Sequence, residues 1–145
     1  MRAKLIHESH GQRTFAVVLD KGDEVMTSLM RFADHETVTA AQVTAIGAFE
    51  KAVLGFFAWD RKEYERIPVG EQVEVLSLLG DIGVEESGKP ALHLHAVLGR
   101  RDGGTVGGHL LEAHVRPTLE VVVTESPAHL RRRKDPETGI TLIRL

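Results

Sequence analysis

The sequence predicts an α+β domain built around a mostly antiparallel sheet. Three observations lead to this fold class: one segment has the periodicity of a helix, most other segments have the composition of strands, and short polar turns join them. The length of 145 residues is typical of one domain. No internal repeat or linker divides the chain, so we expect a single domain over residues 1–145.

The first predicted elements are a strand and a helix. Residues 13–19 (RTFAVVL) are β-branched and aromatic, as in a strand, and the polar DKGD that follows ends it. Across residues 23–36, apolar residues recur with the 3.6-residue period of a helix. Asp20 or Asp23 is the expected N-cap, and Glu24 suits the helix dipole. The buried stripe of this helix is predicted to consist of Val25, Leu29, Phe32 and Ala33.

After the helix, nearly every segment is predicted to be a strand. Gly47 and Gly55 lie within these strands and are expected to mark bulges or close approaches. Three consecutive valines at 121–123 predict a strand that is covered on both faces. The basic run RRRK at 131–134 is interpreted as a solvated helix end or turn. The predicted strands cover residues 38–50, 51–60, 63–67, 72–84, 91–99, 106–115 and 118–125, with a final strand near the C-terminus.

Composition excludes several kinds of site. The chain has no cysteine, which excludes disulfides, thiolate zinc sites and cysteine nucleophiles. No run approaches the roughly eighteen apolar residues of a membrane span, and no signal-peptide pattern opens the chain, so we expect a cytoplasmic protein with no membrane contact. The net charge of −3 gives no general attraction for nucleic acid, and RRRK is weak support for such contact.

Histidines are concentrated in one stretch of the chain. His93 and His95 are two residues apart in a predicted strand, so their side chains share one face of the sheet. Two imidazoles in this arrangement can converge on one ion, with each nitrogen about 2.0–2.1 Å from a zinc ion. A divalent metal site that includes both residues is therefore predicted, and zinc is the expected cofactor.

The third ligand depends on the register of the hairpin that follows. A three-residue loop at 102–104 would place Val97 opposite His109. In that register, His109 lies diagonally across from His95 and joins the face that carries His93. The second glycine of the loop favours this arrangement, because it supplies a left-handed residue.

A two-residue loop at 102–103 is the alternative. It shifts the register by one residue, so that Glu112 faces His93, His114 joins the same face, and His109 points away. The residues alone leave both registers open. Glu112 is in addition a candidate general base, or a partner of a metal ligand, because it lies three residues after His109.

Six stretches of the chain occur in a characteristic order: TFAVVLDKGDEVMTSLMRFA, VTAIGAFEKAVLGFF, EYERI, VEVLSLLGDI, GKPALHLHAVLG and VGGHLLEAHVRPTLEVVVTE. Their order and spacing, over residues 13–125, resemble the PPC family, the plants and prokaryotes conserved domain, also called DUF296. The resemblance is to the prokaryotic single-domain type. It implies an antiparallel sheet wrapped around one major helix, and a homotrimer. Prokaryotic members are often labelled as candidates for DNA binding, but the RGRP core of the plant AT-hook is absent here.

A wider resemblance links this fold to acetolactate decarboxylases and to a zinc-dependent ester hydrolase. Those enzymes hold zinc through a His-x-His pair and a third histidine shortly afterwards. His93, His95 and His109 match that pattern, so the resemblance favours the register that brings His109 to the site. The rest of the decarboxylase site is not identifiable in this sequence, so the resemblance implies ligands and not a reaction.

The sequence therefore predicts a homotrimeric zinc-binding protein with a binding or regulatory role and a small-molecule ligand at the metal. A zinc-dependent lyase or hydrolase is the second hypothesis, because three protein ligands leave a fourth position for water or substrate. DNA binding is the third. His95 is central in the proposed pairing, so its removal should weaken metal binding most, whereas removal of His114 or His129 should have almost no effect.

Overall fold

The computed structural model describes residues 1–144, which form nine strands and one helix. The strands are β1 (Arg2–Ser9), β2 (Gln12–Asp20), β3 (Ala41–Ala58), β4 (Glu63–Val69), β5 (Val73–Glu85), β6 (Pro90–Gly99), β7 (Thr105–Glu125), β8 (Arg131–Lys134) and β9 (Thr141–Ile143), and helix α1 spans Val25–His35. Among the described residues, every strand pairing is antiparallel except that of β5 with β8, which confirms the predicted α+β class. Leu145, the last residue of the predicted domain, lies outside the described residues.

Four strands close into a hydrogen-bonded ring. Strand β3 pairs with β5 and β7, and β6 pairs with the same two strands on the other side. The sheet continues from β7 to β2 and β1, and β4 extends it beyond β3. The inner faces of these strands and one face of α1 bury a common hydrophobic core. Its largest fully buried side chains include Leu29, Phe49, Leu54, Leu94 and Leu119.

Helix α1 begins after Glu24 and not after Asp20 or Asp23. The Glu24 carboxylate accepts hydrogen bonds from the backbone N–H groups of Met26 at 3.1 Å and Thr27 at 2.7 Å. These bonds satisfy donors that the first turn of a helix leaves free. The helix packs against β6 and β7, the strands that carry the histidines. The predicted stripe is confirmed, because the buried residues of α1 are Val25, Leu29, Phe32 and Ala33.

In two places, a pair of predicted strands forms one long strand in the structure. The segments 38–50 and 51–60 form β3, and the segments 106–115 and 118–125 form β7. Bulges absorb the irregularities that suggested breaks. One of them lies at Gly47, as predicted, where the register with β5 shifts and φ is +151°.

The two ends of the chain differ from the prediction. Strand β1 was not predicted, because both of its faces are exposed and its sequence lacks apolar alternation. It pairs with β2 through a tight turn at His10 and Gly11, whose φ values are 51° and 76°. The basic run is strand β8 and not a helix end or turn, because Arg132 is buried between strands, with 3% of its surface exposed.

Within one chain, the valines at 121–123 are covered on one face only, whereas the sequence predicts cover on both faces. Val121 and Val123 are buried, whereas Val122 is 42% exposed on the outer face of the sheet. It lies beside three other exposed apolar side chains, those of Ile46, Leu76 and Leu79. These four residues are called the apolar patch below. Helix α1, the one helix that residues 1–144 form, is not long and apolar enough to cross a membrane.

Candidate metal centre

The hairpin between β6 and β7 has a three-residue loop, but one residue earlier than predicted. The Arg100 N–H donates to the Gly104 carbonyl at 2.8 Å, so the loop proper consists of residues 101–103. Gly103 takes the left-handed position, with φ of +83°. The Asp102 carboxylate accepts a hydrogen bond from the Gly104 N–H at 2.8 Å, which stabilises this form of the turn.

The register of the hairpin differs from the prediction by two residues. Val97 pairs with Gly107 and not with His109, and His95 pairs directly with His109. A shift of two residues keeps every side chain on the same face of a strand. His109 therefore still lies on the face of His93 and His95, although its predicted partner was wrong.

Three imidazoles meet on the outer face of the sheet, where the β6–β7 ladder ends. His95 and His109 are the last pair of that ladder, and His93 follows on β6. The Nε2 atoms of His93 and His95 are 3.2 Å apart. One ring nitrogen from each of the three histidines lies within 4.8 Å of the other two. The structure thus brings together all three residues that were predicted as ligands.

The spacing and surroundings of these nitrogens fit a divalent ion. Two nitrogens that bind one tetrahedral zinc ion at about 2.0–2.1 Å are roughly 3.3–3.4 Å apart, close to the 3.2 Å between His93 and His95. The Nδ1 atom of His109 is buried and has no hydrogen-bond partner. A buried polar atom without a partner is unfavourable unless a ligand satisfies it. The donor set therefore suits a metal held by three imidazoles.

Burial keeps two of the imidazoles in the neutral form that binds metals. It lowers the pKa of His109 from 6.5 to about 4, with smaller contributions from His93 and His95. It also lowers the pKa of His93, with a further contribution from the Arg132 guanidinium. Both rings are therefore neutral at pH 7, and no proton has to leave them when a metal binds.

Two residues that were not predicted at the site position His109. The Tyr64 ring on β4 stacks on the His109 ring, with centres 4.7 Å apart and planes at 22°. Tyr64 reaches His109 across Gly55, which pairs with His109 on the neighbouring strand. A Cβ atom at Gly55 would lie 2.8 Å from Cδ1 of Tyr64 and 3.1 Å from Cδ1 of Leu111. Gly55 is therefore the close approach that the sequence predicted, and it makes room for Tyr64.

A partly buried ion pair lies next to His93. Asp81 is the β5 residue that pairs with His93, and its Oδ1 accepts hydrogen bonds from Arg132 Nη2 at 2.6 Å and Nε at 3.2 Å. Arg132 Nη1 also donates to the Thr141 carbonyl at 2.9 Å. Sequence reasoning interpreted Arg132 as one of four solvated charges, because nothing local shows that β8 pairs with a distant strand. The ion pair joins β5, β8 and β9 next to the histidines.

Glu112 and His114 are not part of the histidine cluster. Glu112 pairs with Val53 on β3, and its carboxylate lies 3.4 Å from His114 Nε2 and 3.7 Å from an Arg66 nitrogen. The two-residue register that would have brought Glu112 opposite His93 is not formed. The other four histidines, His7, His10, His35 and His129, are exposed and lie outside the cluster.

A cleft of about 390 Å³ opens beside the histidines, where β6 and β7 diverge beyond their last pair. His93 and His109 form part of its wall, so a molecule in the cleft lies next to the cluster. Helix α1 and the C-terminal segment, residues 132–142, also contribute to its lining. The cleft is lined by Met26, Met30, Tyr64, Glu85, Pro90, Ala91, Leu92, His93, His109, Arg132, Ile140, Thr141 and Leu142.

Comparison with known families gives this fold and site a context. The sequence model of the Plants and Prokaryotes Conserved (PCC) domain matches residues 6–127. The chain belongs to the Plants and Prokaryotes Conserved domain family. This is the family that the motifs over residues 13–125 resemble, so that prediction is confirmed.

Solved structures of similar proteins share the PCC fold over nearly the whole chain. A plant- and prokaryote-conserved protein from Pyrococcus horikoshii is 30% identical, with a TM-score of 0.85 over 92% of each chain. The metal-containing protein AF0104 from Archaeoglobus fulgidus is 32% identical, with a TM-score of 0.84 over 100% of this chain and 99% of that one. A candidate DNA-binding protein from Ralstonia eutropha JMP134 is 32% identical, with a TM-score of 0.83 over 90% of each chain.

Two further similarities are more limited. The bifunctional protein GlmU of Synechococcus sp. (strain JA-3-3Ab) is 28% identical over 130 residues, which cover 88% of this chain and 20% of that protein. The chain thus spans about a fifth of the length of the curated relative it matches. A Staphylococcus aureus protein similar to alpha-acetolactate decarboxylase is 14% identical with a TM-score of 0.49, which is too weak to bear on function.

Proposed function

We propose that this PCC domain is a homotrimeric zinc-binding module with a binding or regulatory role, in which His93, His95 and His109 hold the ion. The observation that carries this proposal is the convergence of three imidazole nitrogens within 4.8 Å on one sheet face. The buried and unpartnered Nδ1 of His109 supports it. The metal-containing relative from Archaeoglobus fulgidus, 32% identical to this chain, gives independent support.

A small-molecule ligand at the metal is part of this proposal. Three protein ligands leave a tetrahedral ion one open position, and the cleft lies beside that cluster. The same arrangement suits a zinc-dependent lyase or hydrolase, which is the second candidate. Binding is preferred because the cluster found among the described residues contains no carboxylate, and Glu112 contacts His114 and Arg66 instead.

The apolar patch supports self-association. Ile46 is 62% exposed and Val122 is 42% exposed, and Leu76 and Leu79 lie exposed beside them. Contiguous exposed apolar side chains on a sheet are typical of surfaces that another chain covers. The resemblance to the PPC family favours a trimer over other assemblies.

DNA binding is not favoured by the charges of this chain, although the relative from Ralstonia eutropha carries that suggestion in its name. The net charge is −3. Within the basic run, Arg132 is buried against Asp81, and Arg133 lies 3.1 Å from the Glu86 carboxylate. These contacts engage two of the four basic residues, so the run is weak support for contact with phosphates.

Calorimetric zinc titration of the metal-free protein, with elemental analysis, tests the metal site. We expect about one ion per chain for the parent. His95→Ala should weaken binding most, by tenfold or more, because His95 is next to His93 along β6 and opposite His109. His114→Ala is the matched control, since that imidazole is on β7 but outside the cluster, and it should bind like the parent. If the alanine variants of His93, His95 and His109 all bind zinc like the parent, the proposed site is wrong.

A further inference from the structure

We infer that the cleft takes a small monocarboxylate with a short apolar chain, with the carboxylate at the open position of the metal and the chain between α1 and the C-terminal segment. This inference rests on the proposed metal site and names the class of ligand that the site would take.

Many of the side chains that line the cleft are apolar. Met26 and Met30 are four residues apart on α1, so their side chains lie one above the other on the same face of the helix. Leu92 from β6 adds to this surface, and Ile140 and Leu142 close it from the C-terminal side. Methionine side chains adapt to ligands of different shape. The volume of about 390 Å³ is within the range of small-molecule sites.

The end of the cleft at the histidines favours a negatively charged group. Three neutral imidazole ligands bring no negative charge, so a divalent ion there keeps both of its positive charges. An anionic oxygen ligand is therefore favoured at the open position. The other charged groups in the lining change this little, because Arg132 is paired with Asp81 and Glu85 is exposed. One anionic group joined to an apolar chain satisfies both ends of the cleft.

Titration of the zinc-loaded protein with acetate, butyrate and hexanoate tests this class. Acetate fills only the position at the metal, whereas the longer acids also bury methylene groups in the cleft. Affinity should rise by up to about fourfold for each methylene that is buried. Hexanamide, which has the same chain but no charge, should bind much more weakly than hexanoate. Equal affinities for acetate and hexanoate would overturn the inference.

Substitutions in the apolar wall separate the chain subsite from the metal. Met30→Ser should remove most of the preference for hexanoate over acetate while leaving zinc affinity and acetate affinity unchanged. Leu142→Ser is a second variant with the same expected result, and its 40% exposure makes it tolerant of substitution. Arg31→Ser, on the exposed face of the same helix, is the control and should behave like the parent.

The outcomes distinguish this inference from the proposed function. A protein that binds no zinc contradicts both. A protein that binds zinc through the three histidines, but shows no dependence on chain length, keeps the metal site and loses the carboxylate subsite. Hexanoate binding that is equally strong in the metal-free protein would also overturn the inference, because the carboxylate would not then depend on the ion.

Discussion

His95 on β6 and His109 on β7 face each other as the last pair of their ladder, with ring centres 5.3 Å apart. Beyond this pair β6 continues beside β5 and β7 beside β3, and the cleft opens between them. The candidate metal centre thus lies at the fork of two strands.

The metal-free protein should lose stability in a pH range that His109 defines. Burial lowers the pKa of this imidazole from 6.5 to about 4 in the folded chain. Between these values the unfolded chain takes up a proton at His109 that the folded chain does not. This difference in proton uptake does not affect stability well above pH 6.5. As the pH falls towards 4, it progressively lowers the free energy of unfolding. Denaturant unfolding in the presence of a chelator should show a shallower acid-side loss for His109→Gln than for the parent.

The exposed His7 provides the control for that experiment. His7→Gln should follow the parent at every pH. An NMR titration of the metal-free protein that gives His109 a pKa near 6.5 would contradict the prediction.

Gly55→Ala should weaken zinc binding without unfolding the protein. The new Cβ would lie 2.8 Å from Cδ1 of Tyr64, so the tyrosine ring has to leave its stack on His109. We expect a severalfold loss of zinc affinity and a loss of stability on the order of 1 kcal/mol. Gly70→Ala is a matched control, because a Cβ at Gly70 meets nothing within 4 Å. Equal zinc affinities for the two variants, measured by calorimetry, would mean that Tyr64 does not position His109.

Arg132→Met should be strongly destabilising. It leaves Asp81 without its partner and frees the Thr141 carbonyl. Removal of one partner of a buried ion pair costs about 3–5 kcal/mol, and the lower end applies here because Asp81 is partly exposed. Chemical denaturation measures this loss. Arg133→Met removes an exposed contact with Glu86 and should change stability by no more than about 0.5 kcal/mol.

The double variant Asp81→Asn with Arg132→Met tests the reason for that loss. It removes the unpaired charge as well, so it should recover part of the stability. No recovery would show that packing around Arg132, and not the charge of Asp81, dominates.

Leu79→Lys should prevent formation of the proposed trimer. This residue lies in the apolar patch with Ile46, Leu76 and Val122, and a charge there cannot be buried against another chain without a partner. Light scattering at micromolar concentration should give about three chain masses for the parent and one for the variant. Ile6→Lys changes an exposed apolar residue outside the patch and should remain trimeric. A monomeric parent would exclude the trimer.

The parts that the sequence predicted correctly are those set by local spacing. The α1 stripe follows from a 3.6-residue period, and the shared face of His93 and His95 follows from strand alternation. The hairpin register could not be predicted, because either Gly103 or Gly104 could take the left-handed position, and the sequence pattern does not show that Gly103 does. Tyr64 and Arg132 were missed for a different reason. Tyr64 reaches His109 across the pairing of β3 with β7, and Arg132 reaches Asp81 across the pairing of β5 with β8. Both pairings join segments far apart in the sequence, which no local pattern reveals.

The turn between β6 and β7 also determines which changes of loop length the site would tolerate. Adding or removing one residue there would turn the third imidazole to the opposite face of the sheet, whereas a change of two would return it to the same face. Loops grafted into this hairpin should therefore differ from the native one by an even number of residues, unless a bulge compensates. When this hairpin is redesigned, an even or odd change in loop length therefore matters more for the site than the residues chosen for the loop.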